Sequence, residues 1–181
     1  MNVPSFRPLR ARLLISGLFL ALAAPAMGQA VSVLKGHDSK QPVDVDADRI
    51  EVQDRQDRAV FSGNVKVRQG NLAIDAARLR VAYRNASGQG LEILRIDADG
   101  GVQVRSPSES ARGDYGIYDL NSRIITLIGS VSLNRGDTQV RGQRLVMDLN
   151  TGRSTLDGGN VASPDGGRVS GRFVVPQRSG D

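Results

Sequence analysis

The chain has 181 residues, with 24 lysines and arginines, 19 aspartates and glutamates, one histidine and no cysteine. The lack of cysteine and of a second histidine excludes disulfides, a Cys/His metal cluster and a catalytic Cys/His pair. The formal charge of +5 does not indicate a nucleic-acid-binding protein, because arginines alternate with aspartates and aromatic residues are few.

Residues 1–30 have the order of a cleavable secretory signal peptide. Arg7, Arg10 and Arg12 precede an apolar run over residues 13–24, and small residues follow. The run is short for a bilayer span, so we expect cleavage between residues 26 and 30 rather than a retained anchor. Cleavage removes three arginines and no acid, which lowers the formal charge from +5 to +2. The sequence therefore predicts an exported, periplasmic domain.

Residues 31–40 carry no apolar period and are expected to form a flexible lead-in. At residue 41 the pattern changes to alternation, with Val43, Val45, Ile50 and Val52 separated mainly by acidic residues. A period of two is typical of an antiparallel strand with one buried and one solvated face. We place the folded domain at residues 41–175 and expect residues 176–181 to form a loose tail.

Further strand patterns follow along the domain, separated by turns rich in glycine and asparagine. One of these turns is predicted at residues 99–101, with the sequence DGG. No segment after residue 30 has a helical apolar stripe of useful length. The predicted fold class is all-β, as a sandwich, a jelly roll or a β-solenoid. The strand patterns cover residues 60–68, 72–81, 91–98, 102–105, 115–120, 123–134, 138–149, 153–156 and 169–175.

One short unit recurs along the chain. The sequence FSGNVKV at residues 61–67 has a near-copy, LIGSVSL, at residues 127–133, an offset of 66 residues. The same offset carries Asp48 onto Asp114 and Val52 onto Tyr118. Looser echoes occur near the glycines at positions 101 and 159. The sequence therefore predicts one hairpin-like β-unit that is used about four times.

Candidate catalytic and metal-binding motifs are weak. Asp44, Asp46 and Asp48 look like the start of a calcium loop, but Arg49 and Arg55 stand where an EF-hand needs glycine and glutamate. The sequence GQG at residues 88–90 lacks the third glycine and the helix of a dinucleotide loop. The acidic residues mostly alternate with apolar ones on strand surfaces. We therefore expect no catalytic residue, no metal and no cofactor.

The apolar face of the strands is the candidate functional surface. Its residues are mostly medium-sized aliphatics. They would form either an ordinary closed core or a groove between two sheets that accepts fatty-acyl chains. The residues considered for a lipid-facing interior are Val43, Val45, Ile50, Val52, Phe61, Val65, Val67, Leu72, Ile74, Val104, Leu127, Val131 and Leu133.

Three motifs near the start of the domain carry a family resemblance. They are QPVDV at residues 41–45, ADRIE at residues 47–51 and FSGNV at residues 61–65, followed by further strands with the Gly-x-Val pattern. In this order, over residues 41–175, the sequence resembles the LptA/OstA-like family of periplasmic lipopolysaccharide-transport proteins. The resemblance implies a single antiparallel β-jelly roll that is incompletely closed and that has no enzymatic activity.

The resemblance also implies a ligand and a set of lipid-facing residues. Lipopolysaccharide acyl chains would lie in the apolar interior while its sugars and phosphates stay in water. By the family pattern Val43 and Val45 correspond best to lipid-facing positions. The same assignment extends to Phe61, Val65 and Val67.

Partners follow from the same resemblance. The chain would connect an inner-membrane complex, including an anchored jelly-roll partner, to an outer-membrane translocon. An unclosed jelly roll leaves unpaired edge strands, which invite strand addition and head-to-tail self-association. The residues expected at these edges are Val43 and Val45 at the start of the domain and Val169, Phe173 and Val175 at its end.

Two other interpretations stay open at the level of the sequence. The membrane-anchored partner of the same transport system would have a similar fold but would keep its N-terminal helix. A structural β-solenoid or adhesin-like periplasmic protein would have more uniform repeats and a closed core that binds no lipid.

Overall fold

The computed structural model describes residues 37–86, 90–159 and 167–174. Within these ranges no helix is long and apolar enough to cross a membrane. The predicted signal peptide, residues 31–36 of the lead-in, Val175 and the predicted tail lie outside the described residues. The strands are β1 (Asp44–Asp46), β2 (Arg49–Gln53), β3 (Arg58–Gln69), β4 (Leu72–Ala86), β5 (Gly90–Arg105), β6 (Glu109–Asp119), β7 (Ile124–Arg135), β8 (Thr138–Asp148), β9 (Arg153–Asp157) and β10 (Ser170–Arg172), with a 3₁₀ turn at Asp54–Gln56.

All ten strands belong to one antiparallel sheet. The strands β3 to β8 are consecutive neighbours, and two short strands cover each edge: β1 and β2 pair with β3, and β9 and β10 pair with β8. The register sets Val45 opposite Val67 and Ile50 opposite Phe61. The strands at the two edges do not pair with each other, so the sheet is not closed into a barrel. The predicted all-β, antiparallel and incompletely closed fold is confirmed.

A line of β-bulges crosses the sheet from β3 to β8. The register shifts at neighbouring positions in all five strand pairs of this region. Because a bulge bends the strand that carries it, aligned bulges fold the whole sheet along a crease. Residues 99–101 lie on this crease, and β5 runs through them without interruption. The turn predicted there is wrong, because glycine at positive φ serves a bulge as well as it serves a turn.

The repeat of 66 residues corresponds to two of these bulges. Gly63 in β3 and Gly129 in β7 both have φ of +80°. The Asp48 carboxylate packs against Gly63 in the space that a Cβ would occupy, and Asp114 packs in the same way against Gly129. Any other residue would be strained in its backbone and would collide with the carboxylate. The repeat in the sequence is therefore a repeat of one bulge geometry.

The crease divides the sheet into two layers that face each other. Gln69 lies in one layer and Tyr118 in the other, and the Tyr118 hydroxyl is 3.0 Å from Gln69 Oε1. This contact joins the two layers at the ends that lie away from the crease, which we call their free ends. Layer A comprises residues 44–46, 65–69, 72–76, 102–105, 109–113, 131–135, 138–142 and 170–172, and layer B comprises residues 49–53, 58–62, 78–86, 90–99, 115–119, 124–128, 144–148 and 153–157.

Aliphatic side chains from both layers fill the space between them. Leu79, Leu127 and Leu145 have no measurable exposure. Burial of apolar area contributes roughly 25 cal/mol per Å² to folding, so this packing is what holds the two layers together. The larger members of the core are Val65, Val67, Leu72, Ile74, Leu79, Val81, Ile96, Val102, Val104, Tyr118, Ile125, Leu127, Val131, Leu133, Leu145, Met147 and Leu149.

Candidate functional site

The structure separates the predicted lipid-facing residues into two groups. Ile50 and Val52 are 56% exposed, and Val43, Val45 and Phe61 are half-buried against the core. The remaining members lie in the closed core between the layers. These buried residues are Val65, Val67, Leu72, Ile74, Val104, Leu127, Val131 and Leu133.

The exposed and half-buried group forms an apolar cleft at the β1/β2 edge of the sheet. The cleft has a volume of about 670 Å³, within the usual range for small-molecule sites. Its walls are β1 in layer A and the first strands of layer B. The side chains of Tyr83 and Leu91 also line it, and neither was singled out from the sequence. The lining residues are Val43, Val45, Ile50, Val52, Asp54, Asp57, Ala59, Phe61, Val81, Tyr83, Asn85, Leu91 and Ile93.

Two acidic residues mark the rim of the apolar cleft beside Tyr83. The Tyr83 hydroxyl lies 3.5 Å from Asp54 Oδ1, and the Tyr83 backbone N–H donates to the Asp57 carbonyl at 3.0 Å. Desolvation of the phenol and the two nearby carboxylates raise the pKa of Tyr83 above its ordinary value. The hydroxyl therefore stays neutral, and the rim carries negative charge from Asp54 and Asp57 alone.

The interior is closed beyond this cleft. A gap among the core residues of both layers has a volume of about 10 Å³, which is close to the minimum that holds one water molecule. Ile74 and Val104 from layer A and Ile96 and Leu127 from layer B line this gap. The apolar cleft and the closed core are therefore one aliphatic interior, open at the β1/β2 edge and packed farther along.

A second, polar cleft of about 610 Å³ adjoins the apolar one at the free ends of the layers. The two clefts share three residues, Val43, Leu91 and Ile93. The other walls come from the segment before β1, from Gln69 and from the turn between β6 and β7. The polar cleft is lined by Ser39, Lys40, Gln41, Pro42, Val43, Gln69, Leu91, Glu92, Ile93, Leu120, Asn121 and Arg123.

Residues 37–42, which we call the strap, differ from the flexible lead-in expected at residues 37–40. His37 is buried, and its Nε2 lies 3.1 Å from Gln69 Oε1. Gln69 Nε2 donates to the carbonyl oxygens of Ser39 at 2.9 Å and Gln41 at 3.0 Å. Ser39 Oγ also lies 3.0 Å from the Tyr118 hydroxyl. Hydrogen bonds to the buried amide of Gln69, rather than an apolar pattern, order the strap. Sequence composition alone does not reveal these hydrogen bonds.

Ion pairs cover the outer surface of the sheet. Arg80 pairs with Asp99, Arg84 pairs with Glu92, and Arg95 pairs with Asp97, each with an N–O distance of 2.7 Å. The pairs join neighbours across strands or along one strand, outside the aliphatic interior. These three arginines are therefore already paired with carboxylates.

Asp97 has a further partner on this outer face. The Tyr115 hydroxyl donates to Asp97 Oδ1 at 2.7 Å, alongside the Arg95 guanidinium. Partial burial acts to raise the pKa of Asp97, but hydrogen bonds from Arg95 and Tyr115 and the charges of Arg95 and Arg80 outweigh it. The pKa of Asp97 is therefore below its ordinary value, and the carboxylate is stabilised in the folded state.

The predicted assembly residues lie at opposite edges of the sheet. Val45 is in β1, and Val43 precedes that strand. Val169 and Phe173 flank β10 and are 46% and 68% exposed. Both edges therefore present apolar side chains next to a short strand with one free side.

Comparison with known proteins assigns the family. The sequence profile described as "LptA/(LptD N-terminal domain) LPS transport protein" matches residues 44–153. The chain belongs to this family. The match begins at β1 and ends at the start of β9, so it covers the crease, both layers and the apolar cleft.

Relatives of known sequence and structure agree with this family. A protein of Rhizobium meliloti (strain 1021), described as uncharacterized, is 33% identical over 162 residues, which are 83% of this chain and 87% of that protein. The LPS-assembly protein LptD of Yersinia enterocolitica is 28% identical over 158 residues, which are 82% of this chain. The chain corresponds to only 20% of the length of that LptD.

A crystal structure shows the same fold. LptH of Pseudomonas aeruginosa, described as the LptA homologous periplasmic component of the lipopolysaccharide transport device, superimposes with a TM-score of 0.65. The superposition covers 77% of this chain and 99% of LptH, at 21% sequence identity. The jelly-roll architecture of the LptA-like family is therefore the architecture of this chain.

Membership of the LptA/LptD N-terminal family makes the chain a lipopolysaccharide transport protein rather than an enzyme. Among the described residues, no group of three or more histidine, aspartate or glutamate side chains is placed to hold a metal ion. The candidate functional site consists of two adjoining surfaces, the apolar cleft and the polar cleft.

Proposed function

We propose that this chain binds lipopolysaccharide through its acyl chains and carries it across the periplasm, from the inner-membrane complex to the outer-membrane translocon. The observation that supports this proposal most directly is the apolar cleft at the β1/β2 edge. Ile50 and Val52 stay 56% exposed there although their side chains face the aliphatic interior. An apolar surface left open to water in a cleft is typical of a site that binds a ligand or a partner protein.

The energetics of acyl chains fit an open cleft better than a closed cavity. Burial of a methylene group stabilises a complex by about 0.8 kcal/mol, so a chain of a dozen carbons contributes roughly 10 kcal/mol before other costs. Full enclosure of several chains would make release slow. A cleft that covers part of the lipid and opens at a sheet edge allows both binding and transfer to the next protein.

The open edges support a bridging role. The β1/β2 edge and the β10 edge each have one free side, and a contact between them is heterologous. Such a contact extends from one copy to the next, or to a jelly roll of similar shape, rather than closing into a dimer. The family includes the N-terminal domain of LptD, which supports partners of that shape. Sedimentation of the purified domain tests this role, since a monomer at every concentration would contradict self-association.

Site-specific photocrosslinking tests lipid binding. A photoreactive residue replaces Ile50, and a matched variant carries it at Glu51. Both positions lie in β2 and are exposed, but only position 50 lines the apolar cleft. We expect lipopolysaccharide to crosslink at position 50 and not at position 51, because acyl chains enter the cleft while the outer face stays in water.

A second pair of positions makes the test independent of β2. Val45 lines the cleft from β1, and Asp46 follows it on the outer face. Crosslinking at Val45 but not at Asp46 would agree with the proposal. Equal crosslinking at all four positions, or none at any of them, would favour a structural β-repeat protein that binds no lipid.

A further inference from the structure

The polar cleft lies where the headgroup of a lipid in the apolar cleft would emerge. The clefts share Val43, Leu91 and Ile93, so they are immediate neighbours. A ligand that spans both must have an apolar part next to a polar part. Lipopolysaccharide has this chemistry, because its acyl chains are attached to phosphorylated sugars.

Two cations line the polar cleft without a carboxylate partner. Lys40 and Arg123 form no ion pair with any residue in the described part of the chain, and what distinguishes them from other basic side chains without an ion pair is their place in this cleft. Glu92 is the one acidic residue in the lining, and Arg84 neutralises it at 2.7 Å. Asp38, next to the cleft, accepts the backbone N–H of Lys40 at 3.0 Å. The lining therefore carries an excess of positive charge.

The strap fixes the backbone that carries Lys40. Its neighbours Ser39 and Gln41 are both held by the amide of Gln69, whose side chain is 2% exposed. Tyr118 reaches the same point from layer B, 3.0 Å from Ser39 Oγ. The buried hydrogen-bond network therefore positions the backbone at Lys40 instead of leaving it on a mobile tail.

The turn between β6 and β7 is held in the same way around Arg123. The Arg123 carbonyl accepts the N–H of Leu149 at 3.0 Å, and Asn150 Nδ2 donates to the Ser122 carbonyl at 3.0 Å. One guanidinium nitrogen of Arg123 donates to Asn150 Oδ1 at 3.3 Å. An arginine has five N–H donors, so most of this fork remains available to an anion.

The charges of the two clefts give a bound anionic lipid one orientation. The charged residues that line the apolar cleft are Asp54 and Asp57, both acidic, whereas Lys40 and Arg123 line the polar one. A phosphate is repelled at the acidic rim and attracted at the basic lining, and concave walls strengthen both effects. The headgroup should therefore lie toward the strap and the acyl chains toward β2.

We propose that Lys40 and Arg123 form a phosphate subsite for the headgroup of the transported lipid. The subsite deepens the proposed function and rests on it, since the acyl chains occupy the neighbouring apolar cleft. Lys40 contributes a point charge, and Arg123 contributes a planar fork that suits phosphate oxygens. The outer-face arginines Arg68, Arg80 and Arg144 are not part of it, because each already pairs with an aspartate.

Binding of two matched lipids tests the subsite. The probes are bis-phosphorylated lipid A and the same lipid after removal of its phosphates. In the double variant Lys40→Gln/Arg123→Gln, we expect the affinity for the phosphorylated lipid to fall about tenfold, the effect of losing charge-assisted hydrogen bonds at a partly exposed site. The affinity for the dephosphorylated lipid should stay unchanged. High salt should weaken wild-type binding of the phosphorylated lipid alone.

The control variant is Lys66→Gln/Arg112→Gln. It removes the same charges from exposed positions that line neither cleft. An equal loss of affinity in both double variants would overturn the subsite, because it would reflect net charge only. Unchanged binding of both lipids in the Lys40→Gln/Arg123→Gln variant would also overturn it. Failure of the wild type to bind either lipid would instead reject the proposed function.

A third probe separates a lipid headgroup from free phosphate. The phosphorylated glucosamine disaccharide without acyl chains carries the same anions. We expect it to bind at least a hundredfold more weakly than the lipid, because most of the affinity comes from the acyl chains. Binding as tight as that of the lipid would show a site for soluble phosphates and would overturn the assignment to a lipid headgroup.

Tyr118 is a positioning residue in this proposal, and Tyr118→Phe tests that role. The change removes the hydroxyl beside Ser39 but keeps the buried ring. We expect the preference for phosphorylated over dephosphorylated lipid to fall about threefold, the effect of one weak hydrogen bond. The control is Tyr115→Phe, which loses a hydroxyl from the outer face of the same strand. A merely structural role would change the affinities for both lipids equally.

Discussion

The region around Gly63 and the region around Gly129 have the same bulge but different surroundings. Around Gly129, Leu127 is completely buried, whereas Phe61, its counterpart 66 residues earlier, is half-buried in an open cleft. Val52 is 56% exposed, while its counterpart Tyr118 is 2% exposed. The first copy comprises β2, which is an edge strand, and β3 beside it, whereas the second comprises β6 and β7, each of which has strands on both sides. One pattern therefore makes the wall of an open cleft at the edge and a packed core in the centre.

The difference has a simple physical origin. A strand inside the sheet has neighbours on both sides and a facing layer, so its apolar face is covered from three directions. The strand β2 pairs with β3 alone. Its inward face is therefore left open by the fold itself, without any change in the type of residue.

The largest expected effect comes from truncation of the two equivalent apolar side chains. Leu127→Ala should lower the free energy of unfolding by about 3–4 kcal/mol, because it leaves a cavity in a packed core. Phe61→Ala should lower it by about 1–2 kcal/mol, because the ring is only half-buried and water fills the space. Urea unfolding of both variants measures the two losses. Equal losses would mean that the cleft is closed in solution and would contradict the comparison.

The next effect concerns the bulge glycines themselves. Gly129→Ala should destabilise the fold by about 2–3 kcal/mol, since the left-handed backbone strains the new residue and its Cβ meets Asp114. Gly63→Ala should cost less, about 1–2 kcal/mol, because Asp48 lies in the short link between β1 and β2, whereas Asp114 lies inside β6. Thermal unfolding measures both.

Gly101→Ala is the matched control for the bulge variants. Gly101 also has φ of +80°, but nothing lies within 4 Å of the position of a Cβ. Gly101→Ala should lower the free energy of unfolding by about 1 kcal/mol, because only the left-handed backbone conformation is strained. If all three variants lost the same stability, the contacts with Asp48 and Asp114 would have no energetic role.

The smallest expected effect is a pH dependence on the outer face. Asp97 has a lowered pKa in the folded protein, so its ion pair stabilises the fold above the unfolded pKa, near 4, and this contribution is lost as the pH falls through the folded value. Asp97→Asn should therefore lower stability at pH 7 by under about 1 kcal/mol, and the difference from wild type should shrink as the pH falls below about 4.

An edge carboxylate provides the comparison for Asp97. Asp46 in β1 pairs with Arg68 at 3.3 Å, and both side chains are more than 60% exposed. Asp46→Asn should change stability by less than about 0.5 kcal/mol at either pH. Urea unfolding at pH 7 and at pH 3 measures both variants. A larger effect at the edge than at Asp97 would contradict the distinction between edge and centre.

Much of this protein follows from its sequence. The alternation from Val43 onward predicts strands because side chains of a strand point to opposite faces, and one buried face with one solvated face is typical of antiparallel sheets. The offset that carries Gly63 onto Gly129 and Asp48 onto Asp114 predicts equivalent structures, and both pairs form the same bulge. These are local properties, set by residues close in the chain or by a repeated pattern.

Tertiary structure decided which apolar residues are open and which are covered. Ile50 and Ile74 both follow an alternating pattern, yet one is 56% exposed and the other 4%. The order of the strap depended on Gln69 and Tyr118, which are far from His37 in the sequence. Burial depends on which strand or layer lies opposite, and the crease, formed by bulges in several strands together, determines that. A local sequence pattern carries no information about such long-range placement. The apolar cleft and the polar cleft can therefore be recognised only in the folded chain.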